Sequence, residues 1–160
     1  MFSSNAWTEE WRRFLGLSTT AKALEILCRF YIEESQHTAI LAQHASRMHY
    51  PQFRAKLLEI AARETKHCEW IGETIKLLGG SLPVVPPAVP AGGNSWEFLL
   101  EDLEDENRCA GELLEQAMHL EADFPAIADM LRRIYEEEQK HRNEIREMLM
   151  RSDPLSVYAA

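Results

Sequence analysis

Two stretches of this chain set a glutamate and a histidine in the middle of an otherwise apolar helical face, and that placement restricts the fold more than any other feature. Phe53, Leu57, Ile60, Glu64, His67, Ile71 and Leu78 recur at helical spacing, and Ile127, Leu131, Ile134, Glu138, His141, Ile145 and Met148 repeat the pattern. A helix buries such a face against its neighbours, so each Glu-x-x-His is carried into a core. Two further apolar faces carry one central glutamate each. The first runs through Leu24, Leu27, Tyr31, Glu34, Thr38, Leu41, Ala45 and Met48, and the second through Trp96, Leu99, Leu103, Glu106, Ala110, Leu113, Ala117 and Leu120.

Breakers separate these faces into four long helices. Pro51 divides the first, from about residue 18 to 48, from the second, which runs to about residue 78. Gly79 and Gly80 stop the second, the third spans about 95–121, and the fourth follows Pro125 from about 126 to 150. Almost nothing alternates with the period of a strand, which predicts an all-α bundle. A short amphipathic helix over residues 4–15, capped by Asn5 and ended by Gly16, is expected ahead of it, with Trp7, Trp11, Phe14 and Leu15 on one face. The domain reading is therefore a leader over 1–17, a bundle over 18–150 and a tail over 151–160.

The 16 residues from 79 to 94 hold four prolines and four glycines. Adjacent antiparallel helices need only about 2–8 linking residues, whereas a Pro-rich extended segment of this length reaches roughly 50 Å. A helix of about 28 residues is roughly 42 Å long, so the segment can cross the whole bundle and join two antiparallel hairpins. A surface loop is the alternative.

The spacing of the four faces sets their polar residues level with one another. Halfway between Glu34 and Glu64 lies residue 49, beside the turn at Tyr50-Pro51, and halfway between Glu106 and Glu138 lies residue 122, near Phe124-Pro125. In an antiparallel hairpin, residues equidistant from the turn stand at equal height. The two hairpins are also offset alike, Glu34 to Glu106 by 72 residues and Glu64 to Glu138 by 74. Glu33 has an apolar stripe of its own, through Ile26, Phe30 and Ile40, but the seam and the turn symmetry favour Glu34.

Four carboxylates facing an apolar core repel one another, and each carries a desolvation penalty of several kcal/mol. No Lys or Arg shares these faces near them; Lys66, Lys140 and Arg108 fall on other sides. Two divalent cations would bring four positive charges against four negative ones, with neutral His67 and His141 completing the shell. A carboxylate-rich set of this kind suits iron or manganese better than structural zinc.

A glutamate from each of two helices and Glu-x-x-His from each of the other two is the stated pattern of ferritin-like di-metal carboxylate bundles. Over about residues 20–150 the sequence resembles that superfamily, and Glu34-Ser35-Gln36 resembles the first-helix motif of its rubrerythrin branch. The resemblance implies Glu34 and Glu106 as single-helix ligands, Glu64 and Glu138 as bridging carboxylates, and His67 and His141 as one nitrogen ligand for each metal. It implies two iron ions, with manganese an alternative at one or both positions, and reduction of peroxide or dioxygen. Ferrous oxidation with iron storage is the alternative reading of the same motif. Tyr31 and Tyr135 stand one turn before proposed ligands, where a phenol can hydrogen-bond to a ligand, quench oxidising equivalents, or simply pack. His37 is either an additional ligand or proton donor, or a residue beside the core.

Two departures from the rubrerythrin pattern are visible. No Cys-x-x-Cys pair provides a rubredoxin iron site, so electrons are expected from an external donor, and Cys109 replaces a further third-helix glutamate, where it reads as a packing residue. The three isolated cysteines and the absence of a basic-then-apolar leader predict a cytoplasmic protein. With a net charge of -9 and no basic stripe, nucleic acid is not an expected partner, nor is a membrane, since no run approaches the roughly 20 apolar residues of a span. A homo-oligomer, as a dimer, is expected. A metal-free helical scaffold that binds a partner through Trp7 and Trp11 remains the non-enzymatic alternative.

Overall fold

The computed structural model describes residues 4–155, with side chains from residue 19 onward. It contains α1 (Ser4–Arg47), α2 (Pro51–Leu77), α3 (Ser95–Leu120) and α4 (Pro125–Met150), and no strand among the described residues. The separate helix expected over 4–15 is not an element of its own, because α1 continues through Gly16 into the bundle. A helix-interior glycine costs only about 1 kcal/mol relative to alanine, and the long run of helical residues on its C-terminal side sustains the helix. The side chains of Asn5, Trp7, Trp11, Phe14 and Leu15 lie outside those described.

The helix ends have local causes. Pro51 and Pro125 open α2 and α4 at the first helical turn, where a missing N–H is harmless. Asn94 caps α3, accepting from the backbone N–H groups of Trp96 and Glu97, while the Glu97 carboxylate accepts in return from the Asn94 N–H. At the end of α2, Gly79 adopts φ +82°, and Gly79 and Gly80 donate back to Lys76 and Ile75. A Cβ on Gly80 would stand 2.7 Å from Leu24, so the chain turns there against α1.

α1 packs on α2 and α3 on α4, with lighter contact from α1 to α3 and from α2 to α4. The core is two apolar clusters. Ala23, Leu27 and Phe30 of α1 meet Ile71 and Ile75 near the end of α2, Leu113 and Ala117 near the end of α3, and Leu131 and Ile134 near the start of α4. Leu41, Ala45, Phe53, Leu57, Phe98, Leu99 and Ile145 form the other. Thus α2 ends and α3 begins at opposite ends of the bundle, so the intervening segment does traverse its length. It lies along α1, where Gln36 donates to the Pro86 carbonyl and Gln43 to that of Ala88. This is the ferritin-like crossover arrangement, two hairpins joined by one long connection. Among the described residues no helix is long and apolar enough to cross a membrane.

The seams drift slightly from those read in the sequence. Ile75 rather than Leu78 closes the α2 face, and α3 buries Phe98 and Asp102 in place of the expected Trp96 and Leu103. An α-helix turns through 3.6 rather than 3.5 residues, so a strict heptad reading rotates off the true face. Leu113 is fully buried in the first cluster. Leu113→Ala should lower unfolding free energy by about 2–5 kcal/mol in a denaturant titration, and a loss under about 1 kcal/mol would contradict this packing.

Candidate metal centre

Between the two apolar clusters lies a single polar layer. Glu34 of α1, Glu64 and His67 of α2, Glu106 of α3 and Glu138 and His141 of α4 are all buried there, none more than 2% exposed. They fall into two overlapping sets whose ligand atoms lie within 4.8 Å of one another: Glu34, Glu64, His67 and Glu138, and then Glu64, Glu106, Glu138 and His141. Glu64 and Glu138 belong to both. Each histidine turns Nδ1 toward the carboxylates. His67 Nδ1 is 2.9 Å from Glu64, 3.3 Å from Glu138 and 3.7 Å from Glu34; His141 Nδ1 is 2.5 Å from Glu64 and 3.7 Å from Glu106. The imidazoles stack at 5.8 Å between centroids.

No Lys or Arg pairs with any of the six among the described residues, so the layer lacks a fixed cation of its own. Both carboxylate oxygens of Glu106 and of Glu138 are buried without a hydrogen bond, as is Nε2 of His141. Unpaired buried acceptors in this number are unusual in a native core, and a bound cation is one of the few things that satisfies them together. The donors are four carboxylates and two imidazoles, a set that fits a pair of divalent transition metals.

The family model for the ferritin-like domain matches residues 25–153. The chain belongs to the ferritin-like domain family. Solved structures agree with this fold. A bacterioferritin of Desulfovibrio desulfuricans, described with a diiron site, superposes with TM-score 0.76 at 24% identity, covering 83% of this chain and 81% of that one. A ferritin-like, diiron-carboxylate protein of Bacillus anthracis gives 0.76 at 16% identity over 82% and 97%. A dodecameric thioferritin of Bacteroides fragilis, a bacterioferritin-related protein, gives 0.75 at 19% over 82% and 86%. No curated protein sequence matches this ferritin-like chain.

Several polar residues beside the centre escape a reading of the sequence. Glu137, which does not combine the seam position with a histidine three residues on, accepts from His67 Nε2 at 3.2 Å. Holding one proton on Nε2 makes Nδ1 the nitrogen that faces the carboxylates, protonated against them in the metal-free protein and the one that would coordinate a bound cation. Cys109 does pack in the core, yet its thiol also donates to Glu34 Oε1 at 3.2 Å. It lines a small recess with Glu33, His37, Asp105 and Arg108, so His37 lies beside the layer and outside both ligand sets. Asp102 is fully buried and bonded to His44 Nδ1 at 2.8 Å, while Glu101 stands 3.3 Å from His44 Nε2. The signal available for this pair is that His44 and Asp102 each stand one residue before a seam position, Ala45 on α1 and Leu103 on α3. Tyr31 and Tyr135 are half-buried against the first apolar cluster.

Electrostatics divide the carboxyls. Burial, followed by the nearby Glu64 charge, raises Glu34 well above the usual carboxylate range; burial and then Glu138 do the same to Glu106. Burial also works against ionisation of Glu64, but hydrogen bonds from His141 and His67 outweigh it and hold that carboxyl low. His67 is opposed by burial and more strongly favoured as a cation by Glu138, Glu34 and Glu64, so its net shift is upward. Burial, with the Glu34 charge, also raises the Cys109 thiol, which fits its role as a protonated donor.

A sign follows for the metal-free protein. Glu34, Glu106 and His67 all hold protons in the native state that the unfolded chain releases, so their contribution is greatest at low pH and is lost as pH rises. The lowered Glu64 acts oppositely, its contribution being lost as pH falls through its folded value. Above the ordinary carboxylate range the first group dominates, and the thermal midpoint of metal-free protein should fall as pH rises. Glu106→Gln should flatten that decline. An unchanged slope in the variant would mean that Glu106 is not an uncompensated acid.

Proposed function

We propose that this ferritin-like protein is a di-iron oxidoreductase of rubrerythrin-like type, which reduces peroxide or dioxygen at a carboxylate-bridged metal pair. The observation that carries this reading is the sharing of Glu64 and Glu138 between two four-residue sets, each completed by one terminal glutamate and one imidazole. Glu34 and His67 would complete one position, Glu106 and His141 the other. Iron is the proposed metal, with manganese an alternative at either position. The similarity to a bacterioferritin with a diiron site and to a diiron-carboxylate protein supports it.

A bound pair of reduced ions supplies two electrons at adjacent centres, which suits cleavage of an O–O bond without release of a radical. The protein's own groups do the rest. Glu137 fixes the His67 tautomer, and the thiol of Cys109 restrains Glu34. The two apolar clusters limit water to the polar layer. Tyr31 and Tyr135 stand one helical turn from Glu34 and Glu138, placed to absorb stray oxidising equivalents. Peroxide or dioxygen is the substrate, and an external donor restores the electrons. A homo-oligomer and a cytoplasmic location belong to the same proposal; the dodecameric assembly named for the Bacteroides fragilis relative supports the first.

Ferrous oxidation feeding a stored mineral is the second reading, favoured by the bacterioferritin and thioferritin resemblances. Anaerobically loaded ferrous protein, mixed in stopped flow with equimolar peroxide or dioxygen, separates them. Faster oxidation by peroxide supports the oxidoreductase, and faster oxidation by dioxygen with retention of excess ferric iron supports storage.

The shared residues make a stoichiometric prediction. Elemental analysis should find that Glu64→Ala loses both ions, whereas Glu106→Ala keeps about one per chain, as expected when a ligand serves one position only. Retention of both ions in Glu64→Ala would exclude a bridging role for that residue.

A further inference from the structure

The outer groove between α2 and α4 is the one place beside the centre where positive charge collects among the described residues. Arg63, Lys66 and Trp70 of α2 face Arg133, Glu137 and Lys140 of α4 across a cavity of about 300 Å³. Four of these six side chains are cationic on a chain whose net charge is -9. Arg63 is engaged by Glu144, and Arg133 lies 4.4 Å over the Trp70 ring and 3.8 Å from Glu137. Lys66 and Lys140 are exposed, and neither has an ion-pair partner among the described residues. Two unneutralised charges at the mouth of a basic groove create a local positive field on an otherwise acidic surface.

This groove is one side chain removed from the polar layer. Its only acid, Glu137, is hydrogen-bonded to His67 Nε2, whose Nδ1 lies 2.9 Å from Glu64. Its only aromatic, Trp70, has its ring centroid 5.7 Å from that of His67. On the α1/α3 side the recess beside Glu34 is lined by Glu33, Asp105 and Arg108, with Arg108 paired to Asp105, so it presents no net positive charge to an acidic protein. The basic groove is thus the approach to the centre at which an acidic macromolecule meets attraction.

We propose that the Arg63/Lys66/Arg133/Lys140 groove is the docking site of an acidic, one-electron donor protein that reduces the centre by way of Trp70 and the Glu137–His67 pair. The proposal rests on the oxidoreductase reading and names its partner's surface. Each encounter oxidises the donor by one electron and reduces the centre by one. Two encounters replace the two electrons that, with two protons from water, convert one peroxide into two waters.

Docking is measured on the metal-free protein, by calorimetric titration with an oxidised flavodoxin of strongly negative charge at low ionic strength. The parent should bind saturably, and Lys66→Glu/Lys140→Glu should weaken binding by about tenfold or more. Lys22→Glu/Lys76→Glu, which changes net charge equally at exposed positions outside the groove, should retain affinity within about twofold. No binding by the parent, or equal weakening in both double variants, would overturn the proposal. So would saturable binding of inorganic phosphate or an oligothymidylate at constant ionic strength, displacing the flavodoxin and lost in Lys66→Glu/Lys140→Glu; the groove would then be an anion or nucleic-acid site. Self-association of the parent abolished by the same substitutions would assign the groove to a second copy of the chain. Since docking needs no metal, its failure would leave the outcome of the peroxide assay at the centre standing, and a failure of that assay would leave the docking result intact.

Discussion

Four carboxylates with no Lys or Arg partner among the described residues, held between two dry apolar clusters, are the constraint around which this bundle is organised. Removing an ion from water costs several kcal/mol after relaxation, and neighbouring carboxylates add mutual repulsion. The metal-free protein meets that cost by keeping protons on Glu34 and Glu106 and by letting His67 become a cation. These are partial remedies, since the buried oxygens of Glu106 and Glu138 still lack a hydrogen bond. The fold tolerates the layer because the clusters on either side, with Leu27 and Leu131 in one and Leu57 and Leu99 in the other, supply the hydrophobic stabilisation.

The layer also explains the connectivity. Residues on antiparallel helices come level only when turns are placed symmetrically, and the turns at residues 48–50 and 121–124 do this for each hairpin. Bringing the hairpins into register then requires α3 to begin at the end of the bundle opposite to the end of α2. The crossover supplies that translation, anchored on α1 by Gln36 and Gln43 and released from α2 by the left-handed Gly79. Its length is therefore a consequence of where the glutamates must meet.

Much of this is legible in the sequence because helical periodicity and proline or glycine breakers are local signals. The four helices, the long crossover and the convergence of the six polar residues all follow from spacing. Three things are not legible. The continuation of α1 through Gly16 depends on cooperative propagation from its neighbours rather than on any residue there. Glu137 and Cys109 act across helices, on His67 and Glu34, and their roles depend on rotations of about a hundred degrees from the seam that spacing alone does not rank. The His44–Asp102 pair and the basic α2/α4 groove are products of packing: lysines and arginines scattered over two segments become a patch only once those helices lie side by side.

The most direct measurement is an anomalous difference map from crystals of the metal-loaded protein, collected at the iron and manganese absorption edges. Two peaks in the polar layer are expected, one against Glu34 and His67 and the other against Glu106 and His141, with Glu64 and Glu138 between them. A layer with no peak, its carboxylates paired instead with protons or waters, would contradict the claim that bound cations are what this buried acid cluster exists to hold.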